Sequence, residues 1–121
     1  MEKATILLVD DHSVVRRGIR SMLDGNYIVC GEAESGDEAI EKVLELKPDL
    51  VLMDLSMPGM TGIDVTKEIR RLSPSTKVVI LSVHDSSQLS DELKQFGVSA
   101  CLTKTCSGDE LRKTVDAVLK A

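Results

Sequence analysis

A doubly wound α/β domain built on a five-stranded parallel sheet with five helices is the fold that this 121-residue sequence predicts. Short apolar runs recur at Ile6 to Val9, Tyr27 to Cys30, Leu50 to Met53, Val78 to Leu81 and Ala100 to Leu102, with helical patterning in every gap. A β-α unit repeated in this way makes parallel strands joined by crossover helices. The runs are apolar throughout and do not alternate with polar residues, as expected of strands covered on both faces. Three of them also stop at charged residues: the first runs into Asp10 and Asp11, the third into Asp54, and the fifth, through Thr103, into Lys104. The length suits one domain over residues 1–121, enough for one core and too short for two.

Each helix shows one apolar stripe. Val15, Ile19 and Met22 form the first, Ile40, Val43 and Leu44 the second, and Val65, Ile69 and Leu72 the third. Leu89, Leu93 and Phe96 mark a fourth helix, and Leu111, Val115, Val118 and Leu119 a fifth, so helices suffice to cover both faces of the sheet. Helix starts are legible as capping boxes at Ser35 with Glu38 and Ser107 with Glu110, and as weaker signals at Thr61 with Asp64 and Asp85 with Gln88. The stops agree: Pro48 ends the second helix, Ser73-Pro74 the third, and Gly97 caps the fourth.

Composition narrows the function. A net charge of −5 and a pI near 5.0 argue against a nucleic-acid grip by this segment, because phosphate contact needs a basic face. One Tyr, one Phe and no Trp leave the core to aliphatic side chains and make stacking on bases improbable. No apolar stretch approaches a membrane span and Met1-Glu2-Lys3-Ala4 lacks a signal-peptide core, so the expectation is a cytoplasmic protein without membrane contact. Cys30, Cys101 and Cys106 are odd in number and contain no Cys-x-x-Cys, which favours buried thiols over a disulfide framework or a zinc site.

Parallel strands bring their carboxyl ends to one edge of the sheet, and a doubly wound fold opens a crevice there, between strands one and three, where the winding reverses. Asp10 and Asp11 then face Asp54, with Lys104 close by. Carboxylates crowded in this way repel by about 4 kcal/mol per pair at about 4 Å and an effective dielectric near 20. A hard, oxygen-seeking cation such as Mg²⁺ is the natural compensation. Singly, the acids can be helix caps or strand ends and the lysine a solvated terminus. Those readings do not require the charges to converge on one edge. His12 and His84 lack the spacing of a ligand set, and Met53, Met57 and Met60 are read as strand and loop packing.

Leu8-Val9-Asp10-Asp11-His12, the run Met53-Asp54-Leu55-Ser56-Met57-Pro58-Gly59-Met60-Thr61-Gly62, Leu81-Ser82 and Thr103-Lys104 together resemble the receiver domain of bacterial two-component response regulators, across essentially the whole chain. The stretches Asp10 to Gly18 and Leu81 to Asp85 look most like the NarL/FixJ subfamily of transcription regulators. The resemblance implies a flavodoxin-like strand order, 2-1-3-4-5. It implies phosphotransfer from a sensor histidine kinase, or a phosphotransfer protein, to Asp54. Mg²⁺ would be held by Asp11, Asp54 and the backbone carbonyl of Ser56, with Asp10 acting mainly through water. Lys104 and Ser82 would contact the phosphoryl group, while Ser56, Val83 and His84 would tune its lifetime. Homodimerisation on phosphorylation is a further implication, and DNA would be reached only through a C-terminal helix-turn-helix domain that this segment lacks.

Two positions depart from the pattern. Cys101 stands where such domains commonly place the Tyr or Phe of their switch, three residues before Lys104, and Thr105 stands where many have Pro. Neither touches the phosphorylation chemistry, but coupled movement of a hydroxyl and an aromatic ring is put in doubt. The expectation is a regulatory phosphoacceptor and not an enzyme. Two alternatives stand beside it. One is a phosphorylation-independent receiver-like interaction module. The other is an aspartyl-nucleophile phosphohydrolase, disfavoured because Ser56 occupies the position where haloacid-dehalogenase-type enzymes carry a second Asp.

Overall fold

The computed structural model describes residues 3–55, 57, 59–82 and 94–120. Along them run β1 (Thr5–Val9), α1 (Ser13–Leu23), β2 (Ile28–Ala33), α2 (Gly36–Leu46), β3 (Leu50–Asp54), α3 (Gly62–Leu72), β4 (Lys77–Ser82), β5 (Ala100–Thr103) and α4 (Gly108–Lys120). The strands pair in parallel in the order β2-β1-β3-β4-β5, as expected. Helix α4 is the fifth of the predicted helices. The one marked by Leu89, Leu93 and Phe96, with its start signal at Asp85 and Gln88, falls mostly outside the described residues. At its end Lys94 and Gln95 are helical, and Gly97 takes φ +95° while its N–H donates to the Lys94 carbonyl at 3.1 Å.

Side-chain alternation along the strands divides the core into two layers. Ile6, Leu8, Leu50, Leu52, Val79 and Leu81 face Leu23 of α1 and Leu111, Val115 and Val118 of α4. Leu7, Val9, Val51, Met53, Val78 and Ile80 face Ala39 and Val43 of α2 and Val65 and Ile69 of α3. All of these strand residues are buried, which explains why the runs carry no polar alternation. Each such side chain contributes about 1.5–3 kcal/mol by leaving water.

The helix starts follow their caps. Ser35 Oγ accepts from the Glu38 N–H at 3.2 Å, Thr61 Oγ1 from the Asp64 N–H at 3.2 Å, and Ser107 Oγ from the Glu110 N–H at 3.1 Å. Helix α2 ends at Leu46, two residues before Pro48, with Lys47 between them as its C-cap in the left-handed region at φ 48°.

Two expectations are corrected. Leu44 does not join the α2 stripe and is exposed, while Ala39 lies in the core. The cause is close approach of α2 to α3: a Cβ on Gly36 would stand 2.6 Å from Val65 Cγ2, and this contact turns the helix so that its small residues face inward. Strand β2 begins after Tyr27 and continues through Gly31 and Glu32 to Ala33. The apolar run stops at Cys30, but the backbone goes on pairing with β1 after a register shift that skips Cys30.

Candidate functional site

Register brings the acids together. Val9, the last residue of β1, pairs with Met53 of β3, so the residues that follow them, Asp10 just beyond β1 and Asp54 at the end of β3, reach the same edge side by side. Asp54 pairs in turn with Leu81, and Ser82 with Thr103. The Lys104 N–H extends that last pairing by donating to the Ser82 carbonyl at 2.7 Å, which carries the lysine to the same crevice. Asp10, Asp54 and Ser82 are each no more than 5% exposed.

The ammonium of Lys104 lies between the two buried acids, 2.9 Å from Asp10 Oδ2 and 3.1 Å from Asp54 Oδ2. Burial alone would raise the Asp10 pKa, but Lys104 and the backbone N–H of His12, which donates to Asp10 Oδ1 at 2.8 Å, outweigh it and hold that carboxyl below the usual range. Burial likewise acts to lower the Lys104 pKa, and its contacts with Asp10 and Asp54 reverse the direction, so the ammonium is held above its ordinary value. Asp11 is more exposed, and the His12 ring reaches it, with Nδ1 2.9 Å from Asp11 Oδ1 and 3.2 Å from Asp10 Oδ1.

The N-cap of α1 is His12, whose side chain accepts no capping hydrogen bond, and the Asp10 carboxylate meets only the His12 N–H just ahead of the helix. One ligand atom from each of Asp10, Asp11, His12 and Asp54 lies within 4.8 Å of the rest, a group able to hold a metal ion. Asp10 Oδ2 adds a second sign: it is buried and, although charge-paired with Lys104, has no aligned hydrogen bond, so it keeps an acceptor lone pair inside the cluster. Carboxylate oxygens of this kind fit a hard divalent cation better than a soft one. His12 was set aside as a ligand on spacing grounds, and its place in the group depends on a fold that no spacing rule contains.

The loop after β3 folds back onto Asp54. Gly62 donates its N–H to the Leu55 carbonyl at 2.9 Å, and a Cβ at Gly62 would stand 2.8 Å from the Asp54 carbonyl oxygen and 3.0 Å from Leu55 Cα. These are backbone atoms that cannot step aside, which is the physical reason for the last glycine of the Met-Pro-Gly-Met-Thr-Gly run. Gly59 takes φ +82° in the same loop, and Met57 and Met60 pack with the α2–α3 layer of the core, as expected. Cys101 pairs with Ile80 and packs against that layer, half-buried. All three cysteines are half-buried, and none is in a disulfide. Ser56, Val83 and His84 lie outside the described residues.

Sequence reading missed Arg16. It is the one arginine counted among the buried charged groups, and it donates through Nη1 to the Asp10 carbonyl. Its signal was its position: Arg16, Ile19 and Leu23 are spaced as one helical face, so a charge stood where the stripe calls for an apolar residue.

Five parallel strands in this order, with buried acids at the point where the winding reverses, define a receiver-type α/β domain. Comparison with known proteins agrees. The model of the response regulator receiver domain family matches residues 6–116. Response regulator GacA of Pseudomonas viridiflava is 42% identical over 116 residues, covering 93% of this chain and 52% of that protein. The transcriptional regulatory protein YdfI of Bacillus subtilis is 38% identical over 117 residues, covering 95% and 54%. The signal receiver domain of a protein assigned as NarL in Mycobacterium tuberculosis superposes with a TM-score of 0.92 at 32% identity, covering 100% of this chain and 99% of that one. This chain belongs to the response regulator receiver domain family of two-component systems, with relatives of the NarL/FixJ type. It spans about half the length of the relatives it matches. Among the described residues no helix is long and apolar enough to cross a membrane.

Proposed function

We propose that the chain is a phosphoacceptor switch in which Asp54 takes a phosphoryl group from the phosphohistidine of a sensor histidine kinase or phosphotransfer protein, in a Mg²⁺-dependent reaction. The observation that carries this reading is the Lys104 ammonium bridging the buried Asp10 and Asp54, with Asp11 beside them. Asp11, Asp54 and the Ser56 carbonyl would hold the ion, with Asp10 acting mainly through water. When bound, it supplies positive charge to the phosphoryl oxygens and helps keep the group in line.

The protein's own residues do the rest. An Asp54 carboxylate oxygen forms the new bond to phosphorus as the bond to the donor's imidazole nitrogen breaks and the leaving nitrogen keeps that electron pair. Lys104, already poised between the acids, turns a hydrogen bond toward a phosphoryl oxygen. The Ser82 hydroxyl donates to another, and that bond exists only in the phosphorylated form. A contact made in one state alone is what shifts a population between two conformations. Ser56, Val83 and His84 then set the lifetime of the acyl phosphate, and Cys101 occupies the switch position.

In this reading the domain extends over residues 1–121 and works in the cytoplasm. It regulates transcription through a helix-turn-helix domain elsewhere in its protein and pairs with a second copy when phosphorylated. It is a regulator and not a turnover enzyme. Incubation with Mg²⁺ and acetyl phosphate should add one phosphoryl group by intact mass. No adduct on the wild type, or an undiminished adduct on Asp54→Ala, overturns the reading. Multiple turnovers of p-nitrophenyl phosphate would favour a phosphohydrolase instead. One observation keeps a second reading in view: a half-buried thiol at Cys101 sweeps little volume, as suits an interaction module indifferent to phosphorylation. Equal partner binding by wild type and Asp54→Asn, with and without phosphodonor, would select it.

A further inference from the structure

Arg16 lies on the first turn of α1, where its neighbours Arg17 and Arg20 are exposed and it is not. A guanidinium withdrawn from water needs its N–H groups engaged, because burying an unpaired charge costs several kcal/mol. Arg16 engages them on three sides. Nε donates to Glu32 Oε1 at 2.7 Å, Nη2 stands 3.6 Å from Glu34 Oε1, and Nη1 donates to the backbone carbonyl of Asp10. Glu32 is itself held by Arg20 Nη2 at 2.7 Å. Hydrogen bonds from Arg20 and Arg16 keep the Glu32 carboxyl below its ordinary pKa, so the anchor stays charged.

The carbonyl that Arg16 grips belongs to the residue at which β1 delivers its acid. The Asp10 N–H is also tied, donating to the Ala33 carbonyl of β2 at 3.1 Å. Both peptide groups flanking the Asp10 Cα are therefore fixed, one to the β2 backbone and the other to a guanidinium anchored on a β2 side chain. With those two planes set, the direction in which the Asp10 side chain leaves the chain is set, and the Asp11 Cα, which lies in the second plane, is placed with it. A planar fork suits this task better than a lysine, because its donors are spread over three nitrogens in one fixed plane, whereas those of an ammonium rotate on a single atom.

We propose that Arg16 is a positioning residue for the acid site: by clamping the Asp10 carbonyl to β2 it sets the spacing of Asp10 and Asp11 against Asp54, and so governs cation capture without touching a ligand atom. The inference rests on the phosphoacceptor reading above, in which those acids hold Mg²⁺. Residues that orient ligands from behind commonly change metal affinity by about 10–100-fold when replaced.

The test is calorimetric titration of the intact chain with Mg²⁺, comparing wild type, Arg16→Met, Arg16→Lys and Arg17→Met. The folded state of each is checked by circular dichroism, and the Asp10 and Asp11 amides are followed by NMR. The expected result is a dissociation constant raised at least about tenfold in both Arg16 variants, displaced Asp10 and Asp11 amide signals, and affinity within about twofold of wild type for Arg17→Met, which removes the same charge from an exposed neighbour. If Arg16→Met does not fold, Glu32→Gln weakens the same anchor and should raise the constant severalfold. Unchanged affinity in folded Arg16→Met, or in Glu32→Gln, overturns the proposal. So does full recovery by Arg16→Lys, which would assign the effect to charge alone. A wild type that binds no Mg²⁺ sinks the phosphoacceptor reading together with this one, whereas wild-type binding matched by the Arg16 variants sinks the positioning role alone.

Discussion

Replacing Lys104 by Met removes an ammonium and leaves an apolar stem of similar length between two buried carboxylates. At 2.9 and 3.1 Å, each contact with Asp10 and Asp54 is worth about 5 kcal/mol at an effective dielectric near 20. Much of that offsets the desolvation of the three groups. What remains is set by the asymmetry of such networks: removing one partner leaves the others charged and buried, which costs about 3–5 kcal/mol. We expect Lys104→Met to lose about 3 kcal/mol in EDTA at neutral pH, measured by guanidinium unfolding followed by far-UV circular dichroism. Adding Mg²⁺ should stabilise the variant more than the wild type, because the cation then replaces a missing charge and competes with no ammonium. Asp10→Asn in the Lys104→Met background should restore part of the loss by relieving the acids' repulsion.

The pH profile follows from the same contacts. The Asp10 pKa is depressed below 3.8, so its contribution is present above that value and is lost as pH falls through the folded-state pKa. The Lys104 pKa is raised above 10.5, so its contribution is complete below that value and is lost as pH rises through the folded-state pKa. The difference between wild type and variant should therefore hold level across neutral pH and shrink at both extremes. A variant within about 1 kcal/mol of wild type in EDTA, with no greater response to Mg²⁺, would refute the view that the ammonium holds the acids together.

Gly62→Ala places a methyl group against the Asp54 carbonyl and Leu55, which are backbone atoms, and should cost about 1–3 kcal/mol in the same unfolding assay while slowing acetyl phosphate labelling of Asp54. Normal stability together with normal labelling would contradict the close approach. Tyr27 is buried, and its hydroxyl donates to Asp116 Oδ1; burial first, and then Asp116, raises its pKa from 10.0 to about 12. The neutral phenol is favoured in the fold, so the stability tied to this shift, about 3 kcal/mol, is complete below the unfolded pKa and lost as pH rises through the folded one. As the chain has a single Tyr and no Trp, phenolate absorbance reads that group alone. Its midpoint should lie near 12 in the wild type and fall, though not fully to 10.0, in Asp116→Asn. A wild-type midpoint at the ordinary value would contradict the burial.

Much of this architecture is legible in the chain because burial on both faces leaves an unbroken apolar run, and a helix packed on one side leaves a stripe. Leu50 to Met53 and Val78 to Leu81 became strands for that reason, and Ser35, Thr61 and Ser107 became caps because a hydroxyl three residues before an N–H satisfies it locally. Leu44 was misplaced because the inward face of α2 is chosen by the approach of Gly36 to α3, a contact with another element. The end of β2 was missed because pairing with β1 carries Gly31 and Glu32 along whatever their side chains prefer.

For the site, local pattern along the chain sets which chemistries arrive at the edge of the sheet: two acids after β1, an acid ending β3, a hydroxyl ending β4, and a lysine after β5. Those identities ride on strand ends, and strand ends are set by local pattern. Tertiary structure alone decided how they meet. Lys104 bridges Asp10 and Asp54, Asp11 is left nearer solvent, and Arg16 grips the Asp10 carbonyl. Contacts between residues more than forty positions apart depend on register across the sheet and on how far each group is withdrawn from water. Neither quantity is written in the short-range order of side chains.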